Sequence, residues 1–242
     1  MGCEGMWSNR IKNCRQNFPA MKRFECSAIV FDLDGVLVDS TGYIEQQWRH
    51  WAASKGLPVE PFLRVCHGRR ALETIRLAAP ELDAEAEVAA FAPAEESDGQ
   101  VLGPVDGAPR LLETLPAGSW AVATSGTRAV ATDRLRRAGL PIPGVLICAE
   151  DVQRGKPSPD VYLLAAAGLG VVPAECLVVE DAPAGIEAAR AAGMGVVALT
   201  TTHRAAELGA DACTTSLAGV HVGRIEQNDR QGRMLELLVL DL

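Results

Sequence analysis

A short apolar run, Ala28-Ile29-Val30-Phe31, is followed at once by Asp32-Leu33-Asp34-Gly35. The run is β-branched in its middle and predicts a buried strand. Two carboxylates one residue apart then stand at the strand's C-terminal end, and Gly35 permits a tight turn. In an open parallel sheet, the carboxyl ends of the strands are where ligands bind. Anions this close raise one another's pKa unless a cation neutralises them. A hard divalent cation with oxygen ligands answers that need, and Mg²⁺ suits one or two carboxylates plus a substrate phosphate. A bare Asp-x-Asp is more often only an acidic turn, so the rest of the chain has to decide.

From Asp106 the chain alternates strand and helix. Predicted strands are Trp120–Thr124, Gly144–Ile147, Cys176–Val179 and Val196–Leu199. Predicted helices are Ala108–Leu115, Arg128–Ala138, Pro159–Ala167 and Ala184–Ala192. Repeated βα units imply a parallel sheet covered on both faces, an α/β fold. Residues 41–105 read as nearly all helix. Tyr43, Trp48, Trp51 and Ala52 share one helical face, and Leu72, Ile75, Arg76 and Ala79 belong to a helix stopped by Pro80. A further helix is predicted over Ala84–Ala90.

FDLDGVLVDS resembles the first motif of the haloacid dehalogenase-like hydrolases. Three further stretches match the family's other motifs in order: Ala123-Thr124-Ser125-Gly126-Thr127-Arg128, Arg154-Gly155-Lys156-Pro157-Ser158-Pro159-Asp160, and Val178-Val179-Glu180-Asp181-Ala182-Pro183. The resemblance runs from about Ser27 to Val222. It implies a Rossmann-like parallel-sheet core with a small helical cap inserted after the first strand. The expected division is an N-terminal extension over 1–23, a core over 24–40 and 106–222, a cap over 41–105, and a tail over 223–242. The tail ends in MLELLVLDL, which reads equally as an edge strand or a docked helix.

By this resemblance Asp32 is a nucleophile that takes up a phosphoryl group. Asp34 is a general acid, then base, and its backbone carbonyl joins the metal. Dehalogenases that attack carbon do not need a second Asp, so Asp34 favours phosphoryl transfer. The 124–128 stretch follows a strand and opens a helix, where hydroxyls and N–H groups make a phosphate cradle. Either Thr124 or Ser125 supplies the hydroxyl, Ser125 being preferred, and Gly126 supplies an N–H. Lys156 offsets the charge of the phosphate and of Asp32. Asp181 is expected to bind Mg²⁺ directly, and Glu180 through water or a neighbour. Ala182 stands where the family more often has Ser. In the cap, His67-Gly68-Arg69 resembles a loop of sugar and polyol phosphatases, which makes Arg69 a candidate substrate contact.

The subgroup most resembled includes 2-deoxyglucose-6-phosphate and glycerol phosphatases, so a small phosphorylated sugar or polyol is the expected partner. A β-phosphoglucomutase-like enzyme is the first alternative. Such enzymes carry a His where this chain has Ile44, which counts against it. A non-catalytic binding protein is the second alternative, opposed by the intact Asp32, Asp34, Lys156 and Asp181. A phosphonate hydrolase is more remote, because Lys55 is the only Lys in the cap. The net charge of −8 excludes a general nucleic-acid binder, since phosphate backbones need clustered Lys and Arg. Seven cysteines without a CxxC pair fit reduced thiols and a cytoplasmic setting. No apolar run reaches the ~18–20 residues of a membrane span. A monomer or small homo-oligomer is expected.

Overall fold

The structure, a computed structural model, describes residues 20–89, 102–228 and 232–242. The first strand, β1 (Met21–Cys26), crosses the boundary drawn at residue 23. The sequence places Lys22 and Arg23 in the extension because residues 1–23 are mixed polar and basic with weak periodicity. They are ordered instead by cross-strand pairing with the chain's last strand. Residues 1–19 of the expected extension lie outside the described residues.

Next come β2 (Ala28–Phe31), a turn, the two-residue β3 (Val38–Asp39), and four helices: α1 (Thr41–Ser54), α2 (Glu60–Leu63), α3 (Ala71–Ala78) and α4 (84–89). The predicted helix over Ala84–Ala90 runs past the described residues at its end. The two-residue β4 (Gly103–Pro104) then pairs antiparallel with β3, so the helical insert leaves and re-enters at one stalk. Beyond it, α5 (Ala108–Thr114), β5 (Trp120–Ala123), α6 (Arg128–Arg137), β6 (Leu146–Ile147), α7 (Asp160–Leu169), β7 (Cys176–Glu180), α8 (Pro183–Ala191), β8 (Gly195–Leu199), α9 (Ala205–Leu208) and β9 (Ala212–Thr214) alternate. Two long strands, β10 (Val220–Asn228) and β11 (Gly232–Leu240), close the chain. The tail is therefore strand rather than helix.

Six parallel strands form one sheet in the order β6-β5-β2-β7-β8-β9. Strand alternation sorts its side chains onto two cores. Ile29 and Phe31 of β2 join Val122, Val179 and Val197 on one face, beneath α5 and the β11 residues Leu235, Leu237 and Val239. Ala28 and Val30 join Ala121, Val178 and Val196 on the other, beneath Tyr162 and Ala165 of α7 and Ile186 of α8. After β2 the chain moves outward to β5 and β6, then returns to lay β7 on β2's other side. The order thus reverses between β2 and β7, and a ligand crevice belongs at such a switch point.

The helical insert has its own apolar centre. Trp48 stacks on Phe62, with ring centroids 5.5 Å apart and planes 12° apart, and Trp51 meets Phe62 edge-on at 5.1 Å. Ala52, Cys66, Ile75, Ala79 and Ala84 complete it. The predicted face of α1 is the one buried: Tyr43, Trp48, Trp51 and Ala52 are all inside.

Candidate active site

Asp32 follows β2, and Glu180 and Asp181 end and follow β7, so three carboxylates meet at the switch point between two adjacent strands. Asp32 is 3% exposed, Glu180 0% and Asp181 1%. The ammonium that answers them is Lys156, itself 1% exposed. Its Nζ donates to Asp32 Oδ1 at 2.5 Å, to Glu180 Oε1 at 2.8 Å and to the Ala123 carbonyl at 3.2 Å, and it lies 4.8 Å from the Tyr162 ring centroid. Burial works against the lysine's charge, but Asp32 and Glu180 more than offset it and hold its pKa well above the usual value. Burial pushes Asp32 up to about 7; Lys156 pulls it down, while Glu180 and Asp34 push it further up. Asp181 is likewise raised well above a normal carboxylate, by burial first and then by Glu180 and Asp32. Three buried carboxylates share one buried ammonium, so the cluster lacks positive charge.

Glu180 does not fit a metal ligand. Oε1 accepts from Lys156 and, at 2.9 Å, from the Tyr162 hydroxyl. Oε2 accepts from the backbone N–H groups of Asp181 (2.7 Å) and Ala182 (2.9 Å). A carboxylate has about four lone-pair directions, and all four are taken. Burial opposes its charge, yet Lys156 and the two N–H groups keep its pKa below the usual carboxylate value. The expectation that Glu180 reaches the cation is corrected to a structural one: it fixes Lys156 and the turn that carries Asp181. Among the described residues no group of three or more His, Cys, Asp or Glu side chains stands ready to hold a metal. Asp32 and Asp181 remain, with carbonyl oxygen. That is the sparse, hard-oxygen set Mg²⁺ uses with waters and a phosphate, and the missing positive charge fits it.

The turn after β2 is built around Asp181. Gly35 has φ 77°, and a Cβ there would lie 2.1 Å from Asp181 Oδ2. Thr201 Oγ1 donates to the Gly35 carbonyl at 2.7 Å and lies 3.2 Å from Asp181 Oδ2, while Thr202 Oγ1 donates to the Asp181 carbonyl.

Asp34 turns away from this cluster. Its Oδ1 accepts from Ser40 Oγ and pairs with Arg134 Nη1, each at 2.6 Å. Arg134 is 5% exposed. Sequence reasoning missed it, because α6 carries four arginines and nothing in their spacing marks the one that faces inward. Tyr162, Thr201 and Thr202 were missed as well. Tyr162 lies six residues after Lys156 in the match to the third motif, and its position on the first turns of α7 was the available signal.

A cavity of about 300 Å³ opens onto Asp32 and Asp34. Thr124, Ser125 and Gly126 line it from the sheet side, and Ile44, Trp48, His67, Arg69, Leu72 and Val88 from the helical insert. Both expected cradle groups already have protein partners: Ser125 Oγ donates to the Gly68 carbonyl at 2.9 Å, and the Gly126 N–H donates to Thr124 Oγ1 at 3.0 Å. Arg69 faces the cavity while Nη1 donates to the Val65 carbonyl at 3.2 Å. Lys156, Glu180 and Asp181 are not lining residues.

A match to the haloacid dehalogenase-like hydrolase family spans residues 26–193. The chain is a haloacid dehalogenase-like hydrolase. Hexitol phosphatase A of Escherichia coli (strain K12) is 43% identical over 179 residues, 72% of this hydrolase and 83% of that protein. Glycerol-1-phosphate phosphohydrolase 2 of Saccharomyces cerevisiae is 36% identical over 190 residues, 73% and 75% of the two chains. Among solved structures, a hydrolase from Pseudomonas syringae superposes with TM-score 0.69 at 28% identity, covering 80% of this hydrolase and 94% of that chain. No helix among the described residues is long and apolar enough to cross a membrane.

Proposed function

We propose that this hydrolase cleaves the phosphate monoester of a small sugar or polyol in the cytoplasm. The observation that carries the proposal is the pairing of buried Asp32 with Lys156 at the head of a cavity of about 300 Å³, with Asp34 two residues on. The names of the relatives, phosphatases of hexitol and glycerol phosphates, support the substrate class.

Asp32 attacks phosphorus, the bond from phosphorus to the alcohol oxygen breaks, and Asp34, once it has left Arg134 and taken up a proton, gives that proton to the departing alkoxide. A water that returns its proton to Asp34 then attacks the aspartyl phosphate, freeing Asp32 and inorganic phosphate. Ser125, Gly126 and Thr124 exchange their present partners for phosphate oxygens. Lys156 holds Asp32 in line and offsets charge on the transferring group. Asp32, Asp181 and the Asp34 carbonyl would hold Mg²⁺, which would supply positive charge to the phosphoryl oxygens. The separation of a helical cap (41–105) from the core has a function in this reading: the insert with its own apolar centre excludes water from the cavity. Ile44 lines the cavity without a titratable group, which supports hydrolysis over a mutase.

Phosphate release from hexitol, glycerol and hexose phosphates, with Mg²⁺ and with chelator, tests the proposal. Metal-dependent turnover that Asp32→Asn abolishes is expected. A folded, Mg²⁺-supplied protein that releases phosphate from none of them refutes it.

A further inference from the structure

Arg70 stands just before α3, at the end of the loop that hangs over the cavity. All its donor groups are engaged, and most of its partners belong to a different segment. Nη1 donates to the carbonyls of Ala149 (3.4 Å) and Val152 (3.2 Å), and Nη2 to that of Gln153 (3.1 Å). Glu73 grips the same guanidinium through Nε at 2.8 and 2.9 Å and through Nη2. The side chains of Arg70 and Glu73 are only 15% and 22% exposed. An Arg–Glu pair three residues apart on a helix is ordinarily a local surface contact. Three carbonyls from beyond residue 148 are not local.

The partner segment leads directly into Lys156. Its other side is tied to α6: Glu150 accepts the Arg128 N–H at 2.9 Å, and Arg128 Nη2 meets Asp151 at 2.5 Å. On the insert side it is shaped to receive the guanidinium. A Cβ at Gly155 would lie 2.6 Å from Arg70 Nε and 3.1 Å from Glu73 Oε1, so only glycine lets the pair seat there. Two residues before Arg70, the Gly68 carbonyl accepts from Ser125, and a Cβ at Gly68 would lie 2.8 Å from that of Ala182.

The geometry points to Arg70 as a latch. It seats the helical insert on the 149–155 loop and holds residues 67–69 over the cavity. The inference rests on the phosphatase reading for its effect on turnover, but the latch itself is a contact between two parts of the fold. Arg70 is thus a positioning residue. A small aryl phosphate that leaves the distal cavity unfilled depends on it little, and a polyol phosphate that needs the closed insert depends on it strongly.

The test compares wild type, Arg70→Ala, Arg70→Lys and Gly155→Ala, each with a hexitol phosphate and with p-nitrophenyl phosphate, alongside hydrogen exchange of residues 66–72. The expected result for Arg70→Ala is at least a tenfold fall in kcat for the hexitol phosphate, with less than a threefold change for p-nitrophenyl phosphate and faster exchange in the loop. Gly155→Ala, whose added methyl meets Arg70 and Glu73 first, reproduces the selective loss. Arg70→Lys restores part of it, since one ammonium cannot span three carbonyls. Equal losses on both substrates mean a merely structural role and overturn the latch. Loss in Arg70→Ala with a normal Gly155→Ala means direct substrate contact and also overturns it. If wild type releases no phosphate from any substrate, the phosphatase reading fails, and the exchange rates in Arg70→Ala and Gly155→Ala alone decide the latch.

Discussion

Replacing Glu180 by glutamine exchanges one oxygen for an NH₂ group in a site where four donors converge. Whichever way the amide is turned, two of those donors face another donor. With its NH₂ toward the backbone, the N–H groups of Asp181 and Ala182 lose their acceptor. With its NH₂ toward Lys156, the ammonium loses one of its two carboxylates, and only the Tyr162 hydroxyl can reorient to accept. Hydrogen bonds to charged groups contribute about 1.5–3 kcal/mol each, and breaking one side of a buried ion pair costs about 3–5 kcal/mol. Removing a negative charge from beside Asp32 and Asp181 returns part of this, because both are raised by it. The net expectation is a loss of about 3 kcal/mol in urea unfolding without metal, or about 6–12 °C in Tm for a chain of this size. The Tm increment that saturating Mg²⁺ gives to wild type should persist in Glu180→Gln and vanish in Asp181→Asn. Unfolding within 1 kcal/mol of wild type, together with loss of the Mg²⁺ increment in Glu180→Gln, would refute the reasoning and return Glu180 to the metal.

Two other perturbations follow from the same geometry. Gly35→Ala forces a side chain into the left-handed region, at about 1–2 kcal/mol, and drives a methyl into Asp181; it should abolish turnover while leaving a folded protein by circular dichroism, and near-normal turnover would show that the turn is not tied to Asp181. His67 is held below its ordinary value by burial, with Glu45 pulling the other way. The folded state therefore binds fewer protons than the unfolded one, and stability present above pH 6.5 is lost as pH falls below it, by no more than about 1.4 kcal/mol per pH unit. Between pH 7 and 5 wild type should lose more stability than His67→Gln, and parallel curves would contradict this.

Hydrophobic pattern made the parallel sheet legible, because β2, β5, β7 and β8 are short apolar runs buried on both faces and followed by turn chemistry. β9 escaped notice, since Ala212-Cys213-Thr214 is too short and too mixed to carry a pattern. β1 was illegible for a different reason: its alternation has one face on water, and its partner is at the other end of the chain. At the site, Asp32, Asp34, Lys156 and Asp181 were legible as ordered motifs. Their partners were not. A motif names side chains that meet substrate, whereas Arg134, Tyr162 and Arg70 are recruited by the packing of helices whose rotation local sequence does not announce. Glu180 was misread for a related reason: an acidic pair after a strand looks symmetrical until the fold gives one of its carboxylates to lysine, tyrosine and backbone.

In the three-stranded antiparallel sheet, β11 lies in the middle, and Met21 pairs with Leu240 and Cys26 with Leu235. Residues 21–26 therefore leave the ribosome about 210 residues ahead of the strand that receives them. At the usual elongation rate of about 5–20 residues per second, the wait is about 10–40 s. Phe24 and the face of the sheet that Leu235, Leu237 and Val239 will cover stay open for all of it. The hydrolase can thus acquire its catalytic turn well before this sheet closes, and the nascent chain has to be kept from aggregating until β11 arrives.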